Sequence, residues 1–321
     1  MKRNKTNSHG NPPIRSFADI DRLAARKGPK RLAVLAPDDE EFMRAVKISH
    51  DRGYIEPVLI GNRERIEETA RSVGFDMAGI QVIFEDDRQN IANRGTAMLF
   101  AGEVDIASKG QLPTVFVYRS IIREKVKAGW EKTICVISLW EIPGLNRLIV
   151  LTDTGVNIQP DRAEKAAIIK NAVSFLNMFG YPRPRIAALS GKREIDGSSA
   201  SYRDATELRL LAQAGELGPC EFMEETSFSE IFCIGRETPL VKPDDIDVNR
   251  IPDIILIPHL DTGNILVKLD FFLDVTRRSL VSTARGPIII PSRSDPCDRI
   301  VGELALGVAA ADRIHESRGE G

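Results

Sequence analysis

The chain has 321 residues, the length of one large domain or two ordinary ones. Hydrophobic residues make up 42% of it and charged residues 28%, which is typical of a folded protein with a sizeable core. A formal net charge of -2 gives no basis for nucleic-acid binding, and no apolar run approaches the ~18 residues that span a bilayer. The four cysteines form no CxxC pair and the N-terminus has no apolar leader, so we expect a cytoplasmic protein without a zinc ribbon.

Residues 1–16 are polar and contain a Pro-Pro pair, which predicts a disordered tail. From residue 31 onward, short apolar segments alternate with helical patterns. Strands are predicted at 31–36, 56–61, 80–85, 103–108, 146–153, 185–190, 253–259 and 286–291. This alternation predicts an α/β fold with mostly parallel, doubly wound sheets.

The pattern is interrupted at 140–147, where we place a hinge between two α/β domains. The first domain comprises residues 17–145 and the second 146–295. The last stretch, 296–321, is assigned to the first domain as a returning helix that runs from about Pro296 to about Ile314.

Several helices carry recognisable end signals. Asp161 followed by Glu164 predicts a capping box for a helix that ends at Gly180. The helix that begins near residue 202 is predicted to stop at Gly215. Asp295 before a proline predicts the N-cap of the last helix.

Four polar clusters each follow a predicted strand and precede a predicted helix. They are Ser108-Lys109-Gly110 with Thr114, Thr152-Asp153-Thr154-Gly155 with Asn157, His259 to Asn264, and Ser292 to Asp295. Ligands of open α/β sheets bind beyond the carboxyl ends of the strands, where helix N-termini expose N–H groups. We therefore predict one anion site, above all for phosphate, where the clusters meet at a single edge of the sheet.

Each cluster also has a purely structural interpretation. The alternatives are a surface-exposed Lys109, an Asx-turn at Asp153, a helix cap at Asp261 or Thr262 with Lys268 in solvent, and a helix cap at Asp295 with Arg293 on a surface carboxylate. Absent motifs narrow the choice of function. No GxxxxGK[ST], GxSxG or HExxH is present and no GxGxxG follows the first strand, which excludes a P-loop and disfavours a nicotinamide Rossmann site.

In order and spacing, the clusters resemble the phosphate acetyltransferase/phosphate butyryltransferase family. Residues 151–173 are similar to its most specific stretch and keep Thr152, Asp153, Asn157, Pro160, Lys165 and Asn171. Residues 253–268 are similar to a second stretch with Gly263, Asn264 and Lys268. Residues 287–295 resemble its Ser-Arg-x-Asp segment, and residues 108–123 resemble its Lys-Gly segment.

The resemblance implies a two-domain α/β enzyme akin to the isocitrate/isopropylmalate dehydrogenase group, with a cleft between the domains. It implies a homodimer or higher homo-oligomer that moves an acyl group between coenzyme A and inorganic phosphate. Coenzyme A is then a substrate, the other partner is phosphate or acyl phosphate, and no cofactor or metal is tightly bound.

The same resemblance implies the roles of individual residues. Ser292 would stabilise the oxyanion, Arg293 would hold phosphate, and Asp295 or Asp298 would take the thiol proton. The implied substrate-binding residues are Lys109, Gly110, Thr114, Thr152, Asp153, Asn157, Lys165, Gly263, Asn264 and Lys268.

The chain departs from the family at four places. Arg193 stands where a glutamate is expected, although Glu194 is adjacent, and Pro291 replaces a threonine before Ser-Arg. Glu224 to Ser229 replaces a Gly-Pro-Leu-x-x-Asp segment, and Ser138-Leu139-Trp140 replaces a Ser-His pair. A carboxylate facing phosphate at ~4 Å would repel it by about 1 kcal/mol. The alternative is therefore an impaired or repurposed member that binds coenzyme A or a phosphorylated metabolite. A third hypothesis, a metal-dependent decarboxylating dehydrogenase on the related fold, requires several aspartates converging on Mg²⁺ or Mn²⁺.

Overall fold

The computed structural model describes residues 13–191, 199–232 and 251–311. Within these ranges, eleven strands form one sheet in the order β3-β2-β1-β4-β11-β10-β5-β6-β9-β7-β8. The strands are β1 (Lys30–Leu35), β2 (Ile55–Gly61), β3 (Gln81–Phe84), β4 (Ile106–Lys109), β5 (Cys135–Glu141), β6 (Leu148–Thr152), β7 (Arg185–Ala188), β8 (Glu221–Phe222), β9 (Ile254–Leu256), β10 (Thr276–Ser282) and β11 (Pro287–Ile289). The predicted α/β class with mostly parallel pairing is confirmed.

Helices cover both faces of this sheet. They are α1 (Phe17–Lys27), α2 (Glu40–Asp51), α3 (Arg63–Ser72), α4 (Arg88–Ala101), α5 (Thr114–Lys127), α6 (Arg162–Met178), α7 (Ala200–Gln213), α8 (Phe228–Ile231), α9 (Leu260–Lys268) and α10 (Cys297–Ala311). None of the helices in the described ranges is long and apolar enough to cross a membrane.

The direction of the strands changes in the middle of the sheet. Strands β1 to β4, β11 and β5 run one way, while β10, β6, β9, β7 and β8 run the other way. The reversal occurs because β10 pairs antiparallel with both β11 and β5, and β5 pairs antiparallel with β6. The sheet is therefore parallel in each half and antiparallel in its centre.

The segment predicted as a hinge lies inside this centre. Residues 142–147 connect β5 to β6 as an antiparallel hairpin, so the sheet continues through the predicted boundary. The interruption of the apolar pattern marks a turn and not a gap in the sheet. The division into domains at 145/146 stays a prediction.

Most of the predicted helix ends are confirmed. Asp161 and Glu164 form the reciprocal capping box that starts α6, and Gly180 (φ 86°) and Gly215 (φ 78°) lie just beyond α6 and α7. The last helix returns to pack against α1 and α2. Residues 1–12, which begin the predicted tail, and residues 312–321, which include the predicted end of the last helix, lie outside the described ranges.

The last residues of the predicted tail are ordered. The Tyr181 hydroxyl donates to the carbonyl oxygen of Ile14 at 2.7 Å, and the Ile14 amide donates to Phe179. Ser16 caps α1 in a capping box with Asp19. The prediction of a disordered tail is therefore wrong for residues 13–16, because side chains distant in sequence supply partners.

The two faces of the sheet are covered differently. On the back face, which carries Leu32, Ile137 and Ile289, a single apolar core extends under α1, α2, α3, α6, α7 and α10. On the front face, which carries Ala33, Lys109 and Ser138, there are two separate cores. One lies under α4 and α5, and the other lies under α8 and α9.

Candidate functional site

The front face is open along β10 and β5, between its two cores. Here the outward side chains are polar: Arg277 and Ser279 on β10, and Ser138 on β5. We call this gap the crevice. It contains a cavity of about 120 Å³ whose walls include Tyr118 from α5, Val267 from α9 and Ile290 beyond β11. Both halves of the front face therefore border one cavity.

Lys109 lies at the carboxyl end of β4 and is only 4% exposed. Its Nζ donates one hydrogen bond, to the carbonyl of Gly110 at 3.4 Å, and no carboxylate in the described ranges lies within ion-pair distance. Burial, followed by the charge of Arg293, lowers the pKa of this ammonium, while Asp295 and Glu303 act in the opposite direction. The prediction of Lys109 as an anion-binding residue is favoured over a surface-exposed lysine.

The Ser292–Asp295 loop follows β11, the strand next to β4. Asp295 accepts the Ser292 amide at 2.6 Å and Arg299 Nη1 at 3.2 Å, and it is 6% exposed. The prediction of Asp295 as a helix cap is wrong: the first helical amide, at Cys297, donates to Glu41 of α2 at 3.0 Å. Because Glu41 satisfies that amide, Asp295 is free to fix the loop. The hydroxyl of Ser292 and the guanidinium of Arg293 are exposed.

The Asp153 carboxylate organises the loop after β6. It accepts the amides of Gly155 at 3.0 Å and Asn157 at 2.7 Å, the Asn157 side chain at 2.6 Å and the Val136 amide at 2.9 Å. The Asx-turn interpretation is thus confirmed by the bond to Gly155. Thr152 donates to the Val136 carbonyl. These residues shape the loop, and Thr154 of the same predicted cluster lines the cavity.

The loop after β9 packs directly on the Asp153 loop. A Cβ at Gly263 would lie 2.9 Å from the Asp153 carbonyl oxygen and 2.9 Å from the Thr154 Cα, so only glycine allows this approach. Asn264 and Lys268 are exposed on α9. The predicted caps Asp261 and Thr262 are wrong, because the His259 ring accepts the Thr262 amide.

The prediction that all four clusters share one edge of the sheet is wrong. Since β6 and β9 run opposite to β4 and β11, their carboxyl ends lie at the other edge. Two of the clusters lie together, since the charges of Arg293 and Asp295 act on Lys109. Of the other two, the β6 loop reaches the cavity of the crevice through Thr154, while Val267 of α9 and Ile290 beyond β11 form further parts of its wall.

Sequence reasoning missed Arg277 and Ser279, which together with Ser138 and Thr154 connect the two halves. Ser138 Oγ lies 2.9 Å from both Thr154 Oγ1 and Ser279 Oγ, and Arg277 Nη1 donates to Ser279 at 3.0 Å. Arg277 Nε also donates to Asp270 at 3.0 Å, which Arg299 contacts at 3.3 Å. The alternation of Arg277, Ser279 and Val281 in an otherwise unassigned segment was the available signal.

Sequence reasoning also missed Glu303. It lies in the apolar middle of α10, less than two helical turns after Asp298 of the first turn, and α10 places it where β10 and β11 separate. It accepts the Ser279 amide at 3.2 Å, and its Oε2 has no partner in the described ranges. Burial raises the pKa of Glu303 to about 7, with Arg277 opposing the shift.

The structure separates Lys165 and Asp298 from the crevice. Lys165 pairs with Asp204 of α7 on the back face, whereas Thr114 begins α5, the helix that carries Tyr118 of the crevice wall. Asp298 is exposed and borders a different cavity, with Glu41 and Arg52. Of the two aspartates proposed as base, only Asp295 therefore lies on the Lys109 side.

The acidic segment that departs from the family does not line the cavity of the crevice. Glu224 is exposed and follows β8, the edge strand, which is four strands from β5. The segment continues into α8 on the front face, and neither Glu224 nor Glu225 is among the residues that line the cavity. The metal-dependent hypothesis also gains no support, because no group of three or more metal-ligating side chains occurs in the described ranges.

Comparisons with known proteins agree with the fold and the motifs. A family model described as "Phosphate acetyl/butaryl transferase" matches residues 84–295. A phosphate butyryltransferase from Clostridium acetobutylicum is 25% identical over 299 residues, 93% of this chain and 99% of that protein. A phosphate acetyltransferase from Rickettsia typhi is 27% identical over 87% of this chain and 80% of its own length.

One solved structure is similar to this chain over almost the whole length of both proteins. The crystal structure of a phosphotransacetylase from Streptococcus pyogenes superposes with a TM-score of 0.73 at 18% identity, covering 93% of this chain and 99% of that one. At this identity the likeness supports the fold.

Proposed function

Since the chain belongs to the phosphate acetyl/butyryl transferase family, we propose that it transfers an acyl group between coenzyme A and inorganic phosphate. In this reaction the coenzyme A thiolate attacks the carbonyl carbon of an acyl phosphate. The new C–S bond forms as the C–O bond to phosphate breaks, and inorganic phosphate leaves. Coenzyme A is therefore a substrate.

The observation that carries this proposal is the buried Lys109. A cation that is 4% exposed, without a carboxylate at ion-pair distance and beside the guanidinium of Arg293, leaves positive charge uncompensated. Desolvated charge of this kind is costly unless an anion completes the site. Phosphate or the phosphoryl group of an acyl phosphate supplies that anion.

The neighbouring loop provides the other roles. We propose that Ser292 donates to the oxyanion of the tetrahedral intermediate and that Arg293 holds the departing phosphate. We assign the base to Asp295, because it lies on the Lys109 side and is oriented by Arg299. Asp298 is the weaker candidate, because it borders the other cavity.

We further propose a homodimer or higher homo-oligomer in the cytoplasm. The support for association is a run of exposed apolar side chains at and after the end of α9: Ile265 at 65%, Leu269 at 38%, Phe272 at 86% and Leu273 at 50% exposure. Apolar groups exposed together mark an interaction surface more often than single ones do. Sedimentation velocity of the purified chain tests this proposal.

Phosphate-dependent release of coenzyme A from acetyl-, propionyl- and butyryl-CoA tests the activity. We expect turnover by the wild type and a 10²- to 10³-fold loss of kcat/KM in both Ser292→Ala and Arg293→Gln. Arg285→Gln, in the turn at the far end of β11, is the matched control and should keep wild-type rates. Folded wild type that turns over neither these three nor malonyl- and succinyl-CoA would refute the proposal.

The base is tested by comparing Asp295→Asn with Asp298→Asn across pH. We expect Asp295→Asn to remove the acidic limb of the kcat/KM profile and Asp298→Asn to leave it in place. The reverse result would assign the base to Asp298.

A further inference from the structure

The cavity in the crevice has an unusual lining, and we call it the Arg277 pocket. Its walls include the guanidinium of Arg277 and the hydroxyls of Ser138, Thr154 and Ser279, together with apolar side chains such as Val267 and Val281. The Arg277 side chain is 15% exposed, and Ser138 is 1% exposed. Nothing in the proposed transfer of an acetyl or butyryl group requires a guanidinium here.

The hydroxyls of the Arg277 pocket have one proton to spare. Two hydrogen bonds join the three of them, Thr154 to Ser138 and Ser138 to Ser279, each at 2.9 Å. Each of the three hydroxyls carries one proton, and the two hydrogen bonds use two of these protons. One O–H group is therefore left without an acceptor, whichever hydroxyls act as donors. No other acceptor contacts these hydroxyls in the described ranges.

The guanidinium also has donors to spare. Within the described ranges Arg277 uses Nε toward Asp270 and Nη1 toward Ser279, which leaves both protons of Nη2. The phenol of Tyr118 adds a third donor group, because burial raises the pKa of that hydroxyl and keeps it protonated. The pocket thus presents donors from both its strands and its helix, and it needs an acceptor.

The charged groups around the Arg277 pocket are close to balance. Asp270, with a fully buried side chain, is shared between Arg277 and Arg299, and Asp295 also contacts Arg299. The charge of Asp153 acts on the Tyr118 phenol, and burial holds Glu303 toward its neutral form. The spare donors, and not a net charge, therefore favour an acceptor ligand.

We propose that the Arg277 pocket is the acyl subsite and that it selects short acyl groups ending in a carboxylate, such as malonyl or succinyl. This inference rests on the proposed acyl transfer. A volume of about 120 Å³ corresponds to roughly four water molecules, or a chain of about four to five heavy atoms. The apolar walls cover the methylene groups, while Arg277 and the spare hydroxyl bind the terminal carboxylate.

The same lining disfavours an apolar acyl chain. A butyryl group would strip water from Arg277 and from the hydroxyls without replacing a single hydrogen bond. A site built from polar groups discriminates strongly against a ligand that leaves them unpaired. Free phosphate would satisfy the donors, but it would leave the apolar walls without a partner, and Lys109 and Arg293 already supply a phosphate site.

Calorimetric binding of malonyl-, succinyl- and butyryl-CoA tests the subsite without requiring turnover. We expect the wild type to bind one of the carboxylated thioesters at least tenfold more tightly than butyryl-CoA, and Arg277→Gln to abolish that preference. Arg278→Gln is the matched control, because its guanidinium points to the back face and pairs with Asp21 at 2.5 Å. Arg278→Gln should keep the preference.

A second variant guards against misfolding of Arg277→Gln. Ser279→Ala keeps the guanidinium but removes the hydroxyl that orients it, and should reduce the preference severalfold. Tighter binding of butyryl-CoA by the wild type, or an unchanged preference in both variants, would overturn the proposal.

Turnover separates this inference from the proposed function. We expect phosphate-dependent kcat/KM to follow the same order as binding, with an unchanged KM for phosphate in Arg277→Gln. A raised phosphate KM with every acyl-CoA would instead assign the pocket to phosphate and refute the acyl subsite. Turnover with no preference for a carboxylated chain would refute the inference alone, and absence of all turnover would refute the proposed function.

Discussion

The back and front faces of the sheet use the same strands for different purposes. On the back, one unbroken apolar core joins the helices from α1 to α10. On the front, two cores stop on either side of β10 and β5, and polar side chains occupy the gap. Stability is therefore concentrated on the back face, and the chemistry is concentrated where the front cover is interrupted.

Two neighbouring arginines illustrate the difference. Arg277 faces the crevice, where its guanidinium meets Asp270 and Ser279. Arg278 faces the back, where it pairs with Asp21 and lies 4.5 Å from the centre of the Phe17 ring. Because side chains alternate along a strand, one residue step separates a binding group from a packing group.

Replacing Lys109 by methionine should give the largest functional effect. Since the ammonium is buried without a direct carboxylate, we expect a 10²- to 10³-fold loss of kcat/KM for phosphate and no loss of stability. Steady-state kinetics and thermal unfolding measure the two quantities. Lys170→Met, exposed on α6, is the control. A variant that loses stability in proportion to activity would show that Lys109 supports the fold, and the front face would then not be specialised for binding at this position.

Replacing Ile169 by alanine should show the opposite pattern. Ile169 is fully buried in α6 on the back face, so the cavity left behind should cost about 3 kcal/mol of unfolding free energy. Kinetic constants should stay near wild type at temperatures where the variant is folded. Ile122→Ala, 57% exposed on α5, should change stability by less than about 0.5 kcal/mol. Urea denaturation measures the stability and the phosphate-dependent assay measures the kinetic constants. A large change in KM would contradict the assignment of the back face to stability alone.

The sequence predicts the back face better than the front. Apolar strands and local end signals, such as the Asp161–Glu164 capping box, depend on neighbours in the sequence and could be recognised there. The direction of the strands in the second half of the sheet could not be recognised in the sequence. It follows from the position of β10, which pairs antiparallel with both β11 and β5. That pairing joins residues more than 130 positions apart, such as Ser138 and Ser279.

The site was predicted in part for the same reason. Lys109 and the Ser292 loop each follow an apolar strand that the sequence pattern predicts, so their place at a strand end could be predicted together with their polar character. Asp295 was expected as a helix cap because local sequence favours it, but Glu41 takes that role from another helix. Arg277 and Ser279 lay in a segment without an assigned strand, and only the sheet register places them in the crevice.

Replacing Glu303 by glutamine probes the point where the two regions meet, because α10 belongs to the back core while this carboxyl faces the charges of the crevice. Its pKa of about 7 exceeds the ordinary 4.5, so between these values the folded protein binds more protons than the unfolded chain. Stability from this group is therefore fully present below about pH 4.5 and is lost as pH rises toward 7.

Glutamine has no proton to lose and can still accept the Ser279 amide, so the variant should gain of order 2 kcal/mol over wild type at pH 8 and little at pH 5. Denaturant unfolding across pH measures this difference, with the exposed Glu68→Gln as control. A gain that is equal at both pH values would mean that Glu303 carries its charge throughout. The Arg277 side of α10 would then hold one more negative charge than a neutral Glu303 gives it.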